Sequence, residues 1–143
     1  MKTVEAKYLG DLRTEATHVK SGTKLITDAP PDNQGKGEFF SPTDLVATSL
    51  GCCMITIMGI AARNQGFSIE GATWKTTKVM ADNPRRISEI IIELTFPPHN
   101  YTDQQKRVLE HISKNCPVAL SLHPDLKQTV TLIYLGNTKV PES

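Results

Sequence analysis

Residues 41–66 have the sequence SPTDLVATSLGCCMITIMGIAARNQG, which contains the most apolar segment of the chain. Ser41 can cap a helix whose first residue is Pro42, and Asp44 stands where the acidic partner of a capping box belongs. Gly66 is a typical helix terminator. The pattern therefore predicts a helix over 41–65, roughly 35 Å long at ~1.5 Å per residue.

This helix is apolar on several of its sides. Between Asp44 and Arg63 the apolar run is interrupted only by small alcohol side chains and glycines. We expect a central helix that is buried all round, by a surrounding sheet or by a second subunit, and not a membrane span. The residues that share one face at helical spacing are Leu45, Val46, Ser49, Leu50, Cys53, Met54, Ile57 and Ala61.

The segments around the helix are β-prone or form shorter helices. The predicted elements are N-terminal strands within 3–28, a loop over 28–40, strands within 68–96, helices within 102–122 and a last strand over 127–135. The order β-β-β-α-β-β-α-α-β favours an α+β fold with antiparallel sheets around the central helix. The length fits a single domain over 1–143.

The composition is that of an ordinary soluble protein. Charged residues make up 22% of the chain, apolar residues make up 38%, and the net charge is +1. We expect neither nucleic acid nor a membrane as a partner, because there is no basic run or acidic tail. The first residues are too polar for a signal peptide, so we expect a cytoplasmic protein in a reducing setting.

Three cysteines occupy two kinds of helix setting. Cys52 and Cys53 lie inside the long helix, and Cys116 precedes Pro117, where another helix is predicted to begin. An odd count argues against a full disulfide framework. Free N–H groups at a helix start favour a negative sulfur, which suits Cys116 for thiolate chemistry. If the fold brings the two settings together, one sulfur can attack an oxidant and the other can close a disulfide on it.

Cys52 and Cys53 point in different directions, ~100° apart around the helix. Cys53 lies on the apolar face and would line an apolar pocket, whereas Cys52 is expected to pack. A thiolate at Cys53 needs a nearby cation, and Arg13 and Arg63 are the candidates. The ordinary alternative stays open, since free cysteines are often buried as small hydrophobic residues.

Other chemistries find little support. No nucleophile elbow, phosphate loop or dinucleotide fingerprint occurs. We expect no metal, and a zinc site that combines a cysteine from each setting with a histidine is a minor alternative. The histidines have no paired metal-ligand spacing and are His18, His99, His111 and His123.

Three motifs carry a family resemblance. They are Ser41-Pro42-Thr43-Asp44-Leu45 at the helix start, Gly51-Cys52-Cys53 within the helix, and Asn115-Cys116-Pro117-Val118 later in the chain. Together they resemble the OsmC/Ohr family, the osmotically inducible and organic hydroperoxide resistance proteins. The resemblance spans nearly the whole chain. Gly10-Asp11-Leu12-Arg13 and Asp28-Ala29-Pro30 look like the N-terminal hairpins of the OsmC-like branch.

The resemblance implies a fold and an activity. The family has a cysteine eleven positions after the helix-start proline, which is Cys53, and a later Cys-Pro-Val, which contains Cys116. Cys53 would attack the peroxide and become a sulfenic acid, and Cys116 would condense with it to a disulfide that an external dithiol reduces. No metal, haem or flavin is implied. Such proteins are intertwined homodimers with two sites at the subunit interface.

The chain departs from the well-known peroxidases of the family at the helix start. Those proteins have Asn-Pro-Glu, and the Glu holds the arginine beside the thiolate, whereas Thr43 occupies its position here. Asp44 is expected to cap the helix, Glu38 is an alternative stand-in, and Arg13 is the expected arginine. The leading hypothesis is a thiol peroxidase in oxidative-stress defence. The alternative is a non-catalytic homodimer that binds small hydrophobic ligands.

Overall fold

The computed structural model describes residues 1–135, so the last eight residues of the predicted domain lie outside the described part. The elements follow the expected order, with one additional 3-10 turn, Pro31–Asn33, inside the predicted loop. The strands are β1 Val4–Gly10, β2 Arg13–His18, β3 Lys24–Asp28, β4 Thr73–Ala81, β5 Arg86–Phe96 and β6 Lys127–Tyr134. The helices are α1 Pro42–Gln65, α2 Asp103–Asn115 and α3 Pro117–Ser121.

The chain separates into two compact units, one of residues Met1–Val46 and one that begins at Ala47. Each unit contains one three-stranded sheet. A single domain over 1–143 stays a prediction.

The first unit is an antiparallel sheet of β1, β2 and β3. Its first turn uses Asp11 and Leu12 at φ 54° and 63°, the left-handed region that tight hairpin turns require. Because side chains alternate along each strand, one sheet face carries no carboxylate, lysine or arginine. That face presents Val4, Ala6, Tyr8, Thr14, Ala16, His18, Leu25 and Thr27. Val4, Tyr8 and Leu25 are 50%, 65% and 45% exposed, so much of this face is open.

The sheet of the second unit corrects one expectation. β4 and β5 are antiparallel, but β5 and β6 run parallel, so the expected antiparallel sheets are wrong for this pair. The physical reason is the connection, since α2 and α3 lie between these strands. A helical crossover returns the chain to the end where the previous strand began, which makes the next strand parallel.

The core of the second unit lies between this sheet and α1. Ile90, Ile92, Leu94 and Phe96 alternate along β5, and all are fully buried. They pack in one cluster with the buried face of α1. That face consists of Ala47, Leu50, Gly51, Met54, Met58 and Ala62.

Within the described chain α1 is not buried all round, so burial by a surrounding sheet is wrong, and burial by a second subunit stays a prediction. A three-stranded sheet covers only one face of a helix, and Cys52, Thr56 and Ile60 on the outer side are exposed. Of the most apolar segment of α1, 33% is buried inside the chain. Length and hydropathy alone would allow this helix to cross a membrane, a property that core helices of soluble proteins share.

Candidate active site

The structure brings Cys53 and Cys116 together within the second unit. Cys53 lies near the middle of α1 and is half-buried, and Cys116 is fully buried. Their side chains share a hydrogen bond. The proximity on which the sequence hypothesis depended is therefore present, and both thiols are free.

Cys116 owes its position to a break between two helices. It ends α2 and precedes α3, with extended backbone angles of φ −71° and ψ 155°. Pro117 enforces this conformation, because the residue before a proline is driven out of the helical region. The backbone N–H groups of Ala119 and Val118 point at the Cys116 sulfur and donate hydrogen bonds to it.

Burial decides the protonation of Cys116. It raises the pKa of this thiol more than any other cause, and the hydrogen bond with Cys53 raises the pKa further. The N–H groups of Ala119 and Val118 act in the opposite direction but do not prevail. The expectation that the helix start favours a negative sulfur is therefore corrected. Cys116 keeps its proton at neutral pH and can donate it toward Cys53.

Cys52 is exposed, so the expectation that it packs is wrong. Successive helical residues are ~100° apart, and the turn that aims Cys53 toward the core aims Cys52 outward. The chain therefore holds one paired and one outward-facing thiol side by side. Cys52 is a natural control position for chemistry at Cys53.

Arg13 lies in the first unit, in a cluster of opposite charges. Cross-strand register places it opposite Asp28, and its Nε and Nη2 donate to the two carboxylate oxygens at 2.7 and 2.8 Å. Nη2 also donates to Glu38 Oε1 at 2.5 Å, and the guanidinium lies 4.8 Å from the centre of the Phe39 ring. Glu38 therefore contacts the arginine, which is the role expected of it as an alternative to the glutamate of the well-known peroxidases.

Asp28 was missed by the sequence reasoning. It is 1% exposed, and Arg13 lowers the pKa of its carboxyl, so Asp28 is ionised at neutral pH. The same contacts raise the pKa of Arg13 above its already high value. No local motif gives Asp28 a role as the partner of Arg13, because only the register of β2 and β3 shows which residue faces Arg13. A role for Arg13 in thiolate chemistry stays a prediction.

Of the two remaining candidates, Arg63 does not lie where it was expected, and Asp44 does. Arg63 is exposed in the last turn of α1, ten residues or about 15 Å along the axis from Cys53. The prediction of Arg63 as the cation beside Cys53 is therefore wrong.

Asp44 caps α1 as expected, because its carboxylate accepts the Ser41 N–H at 2.9 Å and its own N–H donates to Ser41 Oγ at 3.0 Å.

Two clefts in the second unit lie away from the thiols. One of about 570 Å³ lies between α2 and β6, and another of about 550 Å³ lies beside the C-terminal half of α1. Neither is lined by Cys53 or Cys116, so the apolar pocket expected beside Cys53 stays a prediction. Within residues 1–135, no group of three or more His, Cys, Asp or Glu side chains could hold a metal.

Comparison with known proteins identifies related chains. Residues 35–131 match the sequence model of the OsmC-like protein family. A crystal structure from Psychrobacter arcticus 273-4, of a protein named for the osmotic stress and detoxification response, is 52% identical with a TM-score of 0.88. That match covers 92% of this chain and 96% of the other. No significant match was found among curated protein sequences.

More distant structures share the fold. An OsmC-like protein from Mycoplasma pneumoniae is 20% identical with a TM-score of 0.76, covering 92% of this chain and 95% of its own. An organic hydroperoxide resistance protein OsmC from Legionella pneumophila is 15% identical with a TM-score of 0.73, covering 93% and 98%. Together with the closer match, these likenesses confirm the α+β fold expected from the sequence.

Proposed function

The chain belongs to the OsmC-like protein family. We propose that it is a thiol peroxidase that reduces organic hydroperoxides in oxidative-stress defence. Structural neighbours from Legionella pneumophila and Elizabethkingia anophelis are named organic hydroperoxide resistance proteins, which supports a general role in redox stress. The observation that carries the proposal is the hydrogen-bonded pair of thiols, one half-buried and one fully buried.

The proposed reaction uses the two thiols in sequence. The Cys53 thiolate attacks the terminal peroxide oxygen, so an S–O bond forms, the O–O bond breaks, and the alkoxide leaves as an alcohol after taking a proton. The Cys116 sulfur then attacks the sulfenic sulfur, which forms the disulfide and releases water. An external dithiol restores both thiols by two exchange steps and is itself oxidised to a disulfide.

The burial of the two thiols supports this division of roles. Cys53 is half-buried, so it can meet a substrate from outside, whereas Cys116 has no exposed surface. The raised pKa of Cys116 keeps it protonated, which makes it a poor first nucleophile. It lies within reach of Cys53 and needs only to close the disulfide. Arg13 is the proposed cation of the reaction.

Exposed apolar surface supports a homodimer. The uncharged face of the β1–β2–β3 sheet is open, and Ile60 on the outer side of α1 is 51% exposed. Exposed apolar surface commonly marks an interface, and each unit presents such surface separately. We propose that a second copy of the chain covers both surfaces, in a cytoplasmic dimer that needs no metal or cofactor.

Three serine variants test the function. The assay is turnover of cumene hydroperoxide with a dithiol reductant, and the matched variants are Cys53→Ser, Cys116→Ser and Cys52→Ser. We expect background turnover in Cys53→Ser, a single oxidation without disulfide formation in Cys116→Ser, and unchanged turnover in Cys52→Ser. Equal activity of all three variants would overturn the proposal. A wild-type protein that keeps every thiol after peroxide treatment would favour the alternative, a non-catalytic binder of small hydrophobic ligands.

A further inference from the structure

The first core-facing side chain of β6 is polar. Side chains alternate along a strand, so Gln128 lies on the same face as Val130 and Leu132, which pack against the core of the second unit. Gln128 is half-buried, and its Nε2 donates to the Ala119 carbonyl oxygen at 3.0 Å. A buried amide needs such a partner, and this hydrogen bond joins β6 to α3.

The α3 helix depends on contacts of this kind because it is only five residues long. The last carbonyl groups of a helix have no partner within it, and a helix this short is unstable by itself. Gln128 supplies a partner for the Ala119 carbonyl group from a strand that is paired with β5 along its length. The hydrogen bond therefore fixes residue 119 relative to the sheet.

Ala119 also contacts the thiol pair through its backbone. Its N–H group and that of Val118 donate hydrogen bonds to the Cys116 sulfur, which is itself hydrogen-bonded to Cys53. When Cys116 attacks, negative charge develops on its sulfur, and N–H groups that already point at this sulfur stabilise the charge. The hydrogen bond from Gln128 thus acts on the same residue that supports Cys116.

We propose that Gln128 is a positioning residue of this peroxidase, which holds α3 so that the Val118 and Ala119 N–H groups support the attack of Cys116 on the Cys53 sulfenic acid. The proposal rests on the proposed function and concerns only its second step. In that step the S–S bond forms and the S–O bond of Cys53 breaks. The Cys116 proton leaves with the hydroxyl group as water. Gln128 acts through α3 and is not itself a catalytic residue.

The experiment follows the two oxidation steps separately in purified protein mixed with cumene hydroperoxide. Samples are quenched with acid at successive times and analysed by intact mass spectrometry, in which the sulfenic acid and the disulfide differ in mass. Gln128→Met keeps the length of the side chain but removes the donor. We expect it to slow disulfide closure by about 3- to 10-fold, the factor that corresponds to one neutral hydrogen bond. Formation of the sulfenic acid should stay within about 2-fold.

A matched control removes a different donor to the same helix. The Ser121 hydroxyl donates to the Pro117 carbonyl oxygen at 2.8 Å, and this hydrogen bond lies within α3. Because it does not join α3 to the sheet, Ser121→Ala should leave disulfide closure within about 2-fold of the wild-type rate.

A second readout separates positioning from a merely structural role. In excess peroxide, a second hydroperoxide can oxidise the Cys53 sulfenic acid to a sulfinic acid before the disulfide closes, and a second alcohol is released. The ratio of sulfinic acid to disulfide should rise in Gln128→Met by the factor by which closure slows. A loss of stability alone would not change this ratio.

The outcomes separate this proposal from the proposed function. Wild-type protein that forms no disulfide with cumene hydroperoxide would overturn the proposed function. If the wild type forms it, normal closure in Gln128→Met, equal slowing of both steps, or equal slowing in Ser121→Ala would overturn only the role of Gln128. If Gln128→Met does not fold, Gln128→Asn decides, because its amide is one methylene group too short to reach the Ala119 oxygen. The same slowing of closure is then expected, and closure at the wild-type rate would overturn the role.

Discussion

The two units of this chain are ordered by different physics. The second unit has a sheet whose central strand and helix α1 bury a continuous apolar cluster, and its thiol pair packs against that cluster. The first unit has a three-stranded sheet with an open uncharged face and a charge cluster in which Asp28 is buried. Burial therefore raises the pKa of Cys116, whereas paired charges lower the pKa of Asp28 and fix the orientation of Arg13.

Truncation of a core side chain tests the difference in packing between the two units. Phe96 is fully buried and stacks on Tyr134 at 4.9 Å between ring centres. Phe96→Ala should lower the free energy of unfolding by about 3–5 kcal/mol, as for other large core truncations. Leu25→Ala is the control in the first unit, where the side chain is 45% exposed, and should cost below about 1 kcal/mol at concentrations where the chain is monomeric. Equal losses of unfolding free energy in denaturant titrations of the two variants would contradict the difference in packing between the units.

Two glycine substitutions in α1 test how tightly the helix packs beside the thiols, with a smaller expected change in stability. A Cβ on Gly51 would lie 2.5 Å from Nε1 of Trp74, whereas one on Gly59, in the same helix, would meet nothing within 4 Å. Gly51→Ala should therefore destabilise by about 1–3 kcal/mol through overpacking. Gly59→Ala should stabilise by about 0.5–1 kcal/mol through helix propensity. Thermal unfolding of both variants is the measurement, and stabilisation by Gly51→Ala would show that the contact with Trp74 is loose.

The smallest effects are opposite pH dependences in the two units. The pKa of Cys116 is raised in the folded chain. The contribution of Cys116 to the free energy of unfolding is therefore fully present below the pKa of the unfolded thiol, about 8.5, and is lost as pH rises through the folded pKa. The pKa of Asp28 is lowered, so its contribution is present above about pH 4 and is lost as pH falls through the folded pKa.

Single variants should remove these dependences one at a time. Cys116→Ser should flatten the alkaline limb of unfolding free energy against pH, and Asp28→Asn should flatten the acid limb. A variant that flattens the limb assigned to the other unit would contradict the assignment of the two causes.

The sequence predicted local features better than features that depend on residues distant in the chain. Helical periodicity and capping residues located α1, and the Cys-Pro pair located the break at Cys116, because these signals are local. The parallel pairing of β6 was not predicted, since strand direction depends on the path of the crossover. The outward direction of Cys52 and the buried position of Asp28 also lay beyond local patterns, because they depend on which face a sheet covers and on cross-strand register.

We propose that Cys53 and Cys116 form one redox pair. The most direct measurement is mass spectrometry of the reduced protein after one equivalent of cumene hydroperoxide, with free thiols alkylated before digestion. If they form this pair, two thiols per chain are lost, a disulfide joins Cys53 to Cys116, and Cys52 is recovered in alkylated form. Recovery of all three cysteines in alkylated form, or a disulfide that includes Cys52, would contradict it.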